Sequence, residues 1–147
     1  MTFVRLCSYN CQSLKSSVQE VRNICSLNDI VFLQETWLAR FELDIVNNIH
    51  EDFAGFGISS FDSSAEILKG RPFGGLAILW RKNIQAAVRV SQIHNCDRLM
   101  KLDLTTREGL VTLLNVYMPT DYRDQDGSDV YCMMIGLIFN IITQVTS

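Results

Sequence analysis

Asp29-Ile30-Val31-Phe32-Leu33-Gln34-Glu35-Thr36 is the stretch whose reading decides the fold. Four apolar residues, three of them β-branched or aromatic, run without a polar interruption, the pattern of a strand covered on both faces. The run then stops at an amide, a carboxylate and a hydroxyl. Upstream, Phe3 to Asn10 is also rich in β-branched and aromatic residues and reads as a second buried strand. Between the two, Ser17-x-x-Glu20 has the form of a capping box. Val18, Val21, Ile24 and Leu27 follow at i+3 spacing, one apolar stripe on a helix of about three turns. Asn28-Asp29 ends it. Strand, helix and strand in this order predict a right-handed βαβ unit, whose polar residues lie beyond the carboxyl ends of its parallel strands. Those ends are Ser8-Tyr9-Asn10 and Gln34-Glu35-Thr36.

Downstream, a short helix is predicted over Phe41 to Ile49 and a strand over Ala54 to Ser60, followed by a loop from Asp62 to Gly70. Gly74 to Trp80 resumes a strand. Ala86 to Ile93 and Leu99 to Leu104 alternate, and Leu110 to Tyr117 is apolar, with Thr105 to Gly109 as the hairpin turn between the last two. Asp121 to Asp129 reads as a solvated loop, and Ser128 or Asp129 as the cap of a final helix that is apolar on most sides.

Composition narrows the class. A chain of 147 residues with 48% apolar and 20% charged residues, 8 Gly and 2 Pro is neither collagen-like nor disordered, and one domain is expected over residues 1–147. A net charge of -3 excludes a wholly basic nucleic-acid scavenger, though not a local basic patch. Cys7, Cys11, Cys25, Cys96 and Cys132 are irregularly spaced and contain no C-x-x-C, which argues for reduced thiols in an intracellular protein, nuclear or cytoplasmic, over a zinc or disulfide framework. Met1 to Leu6 shows no secretory leader, and Val130 to Val145 is broken by Asn140, Thr143 and Gln144 and falls short of the roughly 20 residues of a spanning helix, so no membrane partner is expected.

Three constellations can carry chemistry. Glu35 on one strand end with Asn10 on its neighbour can hold a hard divalent cation, since Mg²⁺ takes one or two carboxylates and fills its shell with water and phosphate. The plainer reading makes Glu35 a helix cap and Asn10 a turn residue. Arg71-Pro72-Phe73-Gly74-Gly75 can cradle a phosphate, or can be a loop whose glycines supply positive φ beside a solvated arginine. In Asn115-Val116-Tyr117-Met118-Pro119 a strand ends at a tyrosine whose hydroxyl can meet a phosphoryl oxygen, or can stand half-buried in water. His50 lacks the second histidine of H-E-x-x-H, His94 stands alone, and no phosphate-binding glycine loop or nucleophile elbow is present.

Taken in order, Ser8-Tyr9-Asn10, Leu33-Gln34-Glu35-Thr36, Arg71-Pro72-x-Gly74-Gly75-x-Ala77-Ile78-Leu79 and Asn115-Val116-Tyr117-x-Pro119 resemble the endonuclease/exonuclease/phosphatase superfamily, most of all the apurinic-like endonuclease domain of non-LTR (LINE-type) retrotransposons. The resemblance implies an α/β fold, the four-layer sandwich of DNase I-like proteins, with two facing mixed sheets flanked by helices. It implies Mg²⁺-dependent hydrolysis of a DNA phosphodiester, with Mn²⁺ as the substitute ion. Carried over, Glu35 is the metal carboxylate, Asn10 its neighbour on metal or phosphate, and Tyr117 the donor to the scissile phosphate. Asn115 sets the strand end and joins Arg71 among the nucleic-acid-binding residues.

The family's Gly-Asp-x-Asn and Ser-Asp-His motifs do not occur in these 147 residues, so the likeness covers about the family's first half and omits the group that activates water. A non-catalytic remnant with weak metal or nucleic-acid binding, and a phosphoesterase acting on small phosphoesters, therefore stay open. With half a sandwich, an uncovered sheet face, marginal stability and self-association are expected.

Overall fold

The computed structural model describes residues 3–61, 73–93, 96–119 and 125–146 and divides the chain into two compact units, Met1–Val116 and Tyr117–Ser147. In the first unit, β1 (Leu6–Asn10) and β2 (Ile30–Gln34) pair in parallel from Leu6↔Ile30 to Asn10↔Gln34, joined by helix α1 (Val18–Leu27). This is the predicted strand–helix–strand unit. β4 (Leu76–Arg81) runs antiparallel on the other flank of β2, and β3 (Phe53–Ile58) lies beyond it, so the first sheet is mixed with order β1-β2-β4-β3. β5 (Ala87–Gln92), β6 (Leu99–Thr106) and β7 (Gly109–Val116) form a second sheet, antiparallel throughout its described strands.

All five residues of β2 are buried. The reason is that both faces of the first sheet are covered. Val31, Leu33, Ala77 and Leu79 pack with Val21 and Cys25 of α1 and with Val46 and Ile49, which a 3₁₀ helix (Arg40–Asn48) and its end supply. The alternate residues Ile30, Phe32 and Ile78 are buried on the opposite face, where β2 and β4 meet β6 and β7 of the second sheet. Gly55 on β3 admits the close approach of the 3₁₀ helix: a Cβ there would lie 2.5 Å from Leu79 Cδ2 and 2.6 Å from the Val46 carbonyl.

Several local expectations are corrected. Ser17 does not cap α1: its hydroxyl donates to the Cys11 carbonyl at 2.9 Å. Glu20 accepts instead from the Tyr9 hydroxyl at 2.5 Å, a bond that pushes the phenol above its ordinary pKa. The buried stripe of α1 is Val21 with Cys25, an i,i+4 pair, while Leu27 is 68% exposed because the chain turns back at Asn28 to start β2. The segment over Phe41 to Ile49 is helical but of 3₁₀ type. Its first turn is held by Glu42, which accepts from the Ala39 amide at 3.0 Å and from Lys15 Nζ at 2.6 Å. The predicted hairpin turn is narrower than Thr105 to Gly109, since Thr106 still pairs with Gly109 and leaves only Arg107 and Glu108 to reverse the chain. The predicted Asp62–Gly70 loop lies outside the described residues.

Asp29 ties the starts of β1 and β2 to the end of β4. One carboxylate oxygen accepts from the Arg5 amide at 2.8 Å and the other lies 3.4 Å from Arg81 Nε. The Arg5 hydrogen bond, followed by the Arg5 and Arg81 charges, holds this carboxyl below its usual range.

The second unit holds α2 (Gln125–Thr146), which runs through Ser128 and Asp129, so neither caps it. Met133, Ile135, Phe139 and Ile142 are exposed along it. Among the described residues no helix is long and apolar enough to cross a membrane.

Candidate active site

The parallel register sets Asn10 directly beside Gln34, so Glu35 is the first residue past the paired end of β2. Beyond that end the backbone leaves the strand conformation. Gln12, Ser13, Glu35 and Trp37 have φ of 44°, 88°, 55° and 57°, the left-handed region that costs a side-chain-bearing residue roughly 1–2 kcal/mol. The described residues show no other non-glycine positions of this kind. Four strained residues at one rim persist only where their surroundings over-determine them, and here the surroundings are five backbone hydrogen bonds. The Cys11, Ser13 and Leu14 amides donate to the carbonyls of Gln34, Glu35 and Thr36 at 3.0, 3.0 and 2.9 Å. From the other flank, the Thr36 and Trp37 amides donate to Gly75 and Gly74 at 3.2 and 2.9 Å.

Gly75 is indispensable to this arrangement. Its φ is +91°, and a Cβ would sit 2.4 Å from Thr36 Oγ1. Thr36 is itself buried, and its hydroxyl has no hydrogen-bond partner among the described residues. Because the Gly75 amide donates to Ser60 Oγ at 2.9 Å, it is turned into the protein. Between the two readings of the Gly pair, the structure supports backbone freedom at positive φ. Arg71 lies outside the described residues.

A second buried polar group joins the sheets. Asn115 is 1% exposed, and its Nδ2 donates to the Leu33 and Ala77 carbonyls at 3.1 and 2.9 Å. Its Oδ1 accepts from Gln34 Nε2 at 2.8 Å, and Gln34 also donates to Ser8 Oγ at 3.0 Å. The amide of Asn115 thus faces the first sheet and is fully committed there. It fixes the end of β7 against the strand that carries Glu35.

Asn10 is exposed and Glu35 half-buried. Cys11, next to both, donates from Sγ to the Gln34 and Glu35 carbonyls at 3.3 and 3.5 Å. Burial pushes its thiol up to about 12, so it is a packed, protonated group and no nucleophile. Cys25 is similarly pushed to about 11 by burial, and all five cysteines are free, as expected of reduced thiols. Tyr117 is half-buried and is the first residue of the second unit. His50 is half-buried, and His94 lies outside the described residues.

Asn10 and Glu35 are oxygen-bearing side chains at the ends of paired strands, the ligand type that a hard divalent cation takes. Among the described residues no group of three or more acidic, histidine or cysteine side chains is gathered. Sequence reasoning grouped Asn10 with Gln34, Glu35 and Thr36; the structure adds Trp37 and the positive-φ backbone to that frame, which no local pattern signals.

Comparison with known proteins places this geometry. Residues 7–135 match the model of the Endonuclease/Exonuclease/phosphatase family. Among solved structures, the 3′ phosphatase NExo from Neisseria, bound to product DNA hairpin, superposes with a TM-score of 0.68 at 15% identity, covering 98% of this chain and 53% of that one. The catalytic domain of Xenopus laevis APE2 gives 0.64 at 15% identity, with 91% and 51% covered, and the AP endonuclease LMAP from Leishmania major gives 0.58 at 14%, with 78% and 40% covered. These likenesses establish the DNase I-like α/β fold, of which this chain spans about half the length of the structures it matches. No curated protein matches the sequence significantly. On the match over residues 7–135 and the two-sheet fold together, the chain belongs to the endonuclease/exonuclease/phosphatase family.

Proposed function

We propose that this chain supplies the metal-binding and phosphate-positioning half of a Mg²⁺-dependent DNA endonuclease of the LINE retrotransposon type. The observation that carries this reading is the backbone lock around Glu35. Four strained residues and five hydrogen bonds fix the backbone at Glu35, one step past the Asn10–Gln34 pair at the carboxyl end of two parallel strands. Strain of this kind is found where a side chain must be held in place for chemistry.

Glu35 would hold the cation, Mg²⁺ or Mn²⁺, and Asn10 would orient that carboxylate or the phosphate. When bound, the cation supplies charge neutralisation at a phosphoryl oxygen and lowers the pKa of a coordinated water. Tyr117 would donate from its hydroxyl to the scissile phosphate, a kind of interaction worth about 3–4 kcal/mol of barrier. Its support is the Asn115-Val116-Tyr117-x-Pro119 pattern in the sequence. We assign Asn115 to setting that strand end, because its buried amide faces the protein. Arg71 is proposed as a DNA-backbone contact on its sequence context alone. The DNA assignment draws support from the DNA hairpin bound to the Neisseria 3′ phosphatase, and the retrotransposon assignment from the Arg71-Pro72-x-Gly74-Gly75-x-Ala77-Ile78-Leu79 block. Free thiols fit an intracellular setting. Leu6, Leu110 and Val111, exposed on edge strands β1 and β7, would favour self-association.

Two measurements test this. Mn²⁺ should selectively broaden the amide resonances of residues 10–13 and 34–37, and Glu35→Ala should abolish the effect. Supercoiled plasmid should be nicked with Mg²⁺, at a rate reduced by about 10²–10⁴ where no general base contributes. Nicking should be competed by DNA and not by inositol phosphates. Nicking that survives Glu35→Ala, or broadening centred elsewhere, would overturn the assignment.

A further inference from the structure

A cavity of about 450 Å³ opens at the end of the first sheet remote from Glu35, in a part of the molecule that the proposed chemistry does not use. Lys82 follows the last residue of β4, and the Arg81 and Lys82 amides donate to Asp29 and Asp52, before the starts of β2 and β3. Since Lys82 lies level with residue 28 in the β2–β4 register and Glu35 follows the far end of β2, the two places lie roughly 20 Å apart along the strand. The volume falls within the range of small-molecule sites.

The polar groups lining this cavity are mixed: Asn48 Nδ2 donates to the Asp44 carbonyl at 2.8 Å and leaves its Oδ1 as an acceptor beside the Glu51 carboxylate, while Arg22, Asn47, His50 and Lys82 each leave donors. Arg22 spends Nε on the Ile49 carbonyl at 2.8 Å, which fixes the guanidinium and leaves both Nη groups. Asn47 Oδ1 accepts from the Gly55 amide at 3.0 Å, leaving its NH₂. His50 Nδ1 accepts from the Asp52 amide at 3.1 Å. A backbone amide can only donate, so the neutral ring carries its proton on Nε2. Lys82 Nζ has no hydrogen-bond or ion-pair partner among the described residues, and neither has the Glu51 carboxylate. Arg22 and Lys82 against Glu51 give a formal charge of +1 with His50 neutral.

We propose that this cavity is an oxyanion site for a phosphodiester, with room for a nucleotide-sized group around the phosphate. Donors from a fixed guanidinium, an ammonium, an imidazole N–H and an amide match the two free oxygens of a phosphodiester. The single net positive charge matches its single negative charge, and Glu51 disfavours a dianion. The site is independent of the metal chemistry assigned to Glu35.

The test uses the full chain and two probes, thymidylyl-thymidine as a phosphodiester without a terminal phosphate, and inorganic phosphate at pH 8. Thymidylyl-thymidine should shift the amide resonances of residues 47–51 and 82. Lys82→Gln should weaken its binding roughly tenfold, the loss of one charge-assisted contact, and Glu51→Gln should tighten it. Lys82 is exposed and makes no side-chain hydrogen bond or ion pair among the described residues, so this variant keeps the test sound if Arg22→Gln disturbs the Ile49 carbonyl. The shifts at residues 47–51 and 82 should appear without any divalent metal. Absence of shifts at 47–51 and 82, equal binding by Lys82→Gln, or tighter binding of inorganic phosphate would overturn the proposal.

Discussion

β2 and β6 are interior strands of their respective sheets, yet they are buried differently. Every residue of β2 is inaccessible, whereas along Leu99–Thr106 only Leu99, Met100, Leu102 and Leu104 are buried and Lys101, Asp103 and Thr105 are not. On that less buried face Lys101 lies 3.3 Å from Asp103, which also accepts from Thr112 at 2.7 Å. A continuous apolar run therefore marks a strand covered on both faces, and alternation marks one that is covered on a single face. The proposed chemistry belongs to the first kind. A strand end fixed from both sides by packing can hold a strained carboxylate, and a strand with one solvated face has fewer constraints with which to do so.

The sharpest way to break this comparison is to substitute one apolar residue in each sheet. Leu79→Ala, in the core between the first sheet and its helices, should cost about 2–5 kcal/mol in denaturant unfolding. Val111→Thr, at the 46% exposed edge of the second sheet, should stay within about 0.5 kcal/mol. Equal effects would mean that the first sheet is not the stable half.

Asn115→Leu tests the joint between the sheets. It leaves Gln34 Nε2 and the Leu33 and Ala77 carbonyls each without a partner that Asn115 supplies, and should cost about 2–3 kcal/mol. Mn²⁺ binding at Glu35 should weaken with it.

Gly75→Ala acts on the rim. A Cβ at φ +91° and 2.4 Å from Thr36 Oγ1 forces Thr36 to move, for an expected loss of about 1–3 kcal/mol. The telling readout is Mn²⁺ broadening at residues 34–37, which should fall even where the variant stays folded.

The smallest effect should be pH-dependent. Asp29, through the Arg5 amide, and Glu42, through Lys15, both have pKa values lowered by folding. Their contribution is fully present above the ordinary carboxylate value of about 4 and is lost as pH falls through the lowered folded values. Asp29→Asn should lower stability at pH 6 by about 1 kcal/mol, and the gap to wild type should narrow at pH 3. A gap that does not change between pH 6 and pH 3 would place the Asp29 effect in packing.

The strands, their order along the chain, the helix between β1 and β2, and the polar ends of those two strands were legible in the amino acids, because apolar periodicity and polar strand ends are local signals. The capping box was not, since Ser17 and Glu20 found better partners in Cys11 and Tyr9, residues brought close only by the packing of α1 on its sheet. Nor did spacing give the doubly wrapped turn at Glu35, which takes hydrogen bonds from residues 11–14 on one side and offers them to Gly74 and Gly75 on the other.

By itself the sequence determined which segments are strands and which strand ends are polar, because each residue's preference for water or for its own kind is written in its side chain. Only the tertiary structure decided that β1 pairs with β2 in one register, that Asn115 closes on β2 and β4, and that Glu35 is held in a conformation it would not adopt alone. Those outcomes depend on contacts between residues tens of positions apart, up to 82 for Asn115 with Leu33, and no local pattern encodes them.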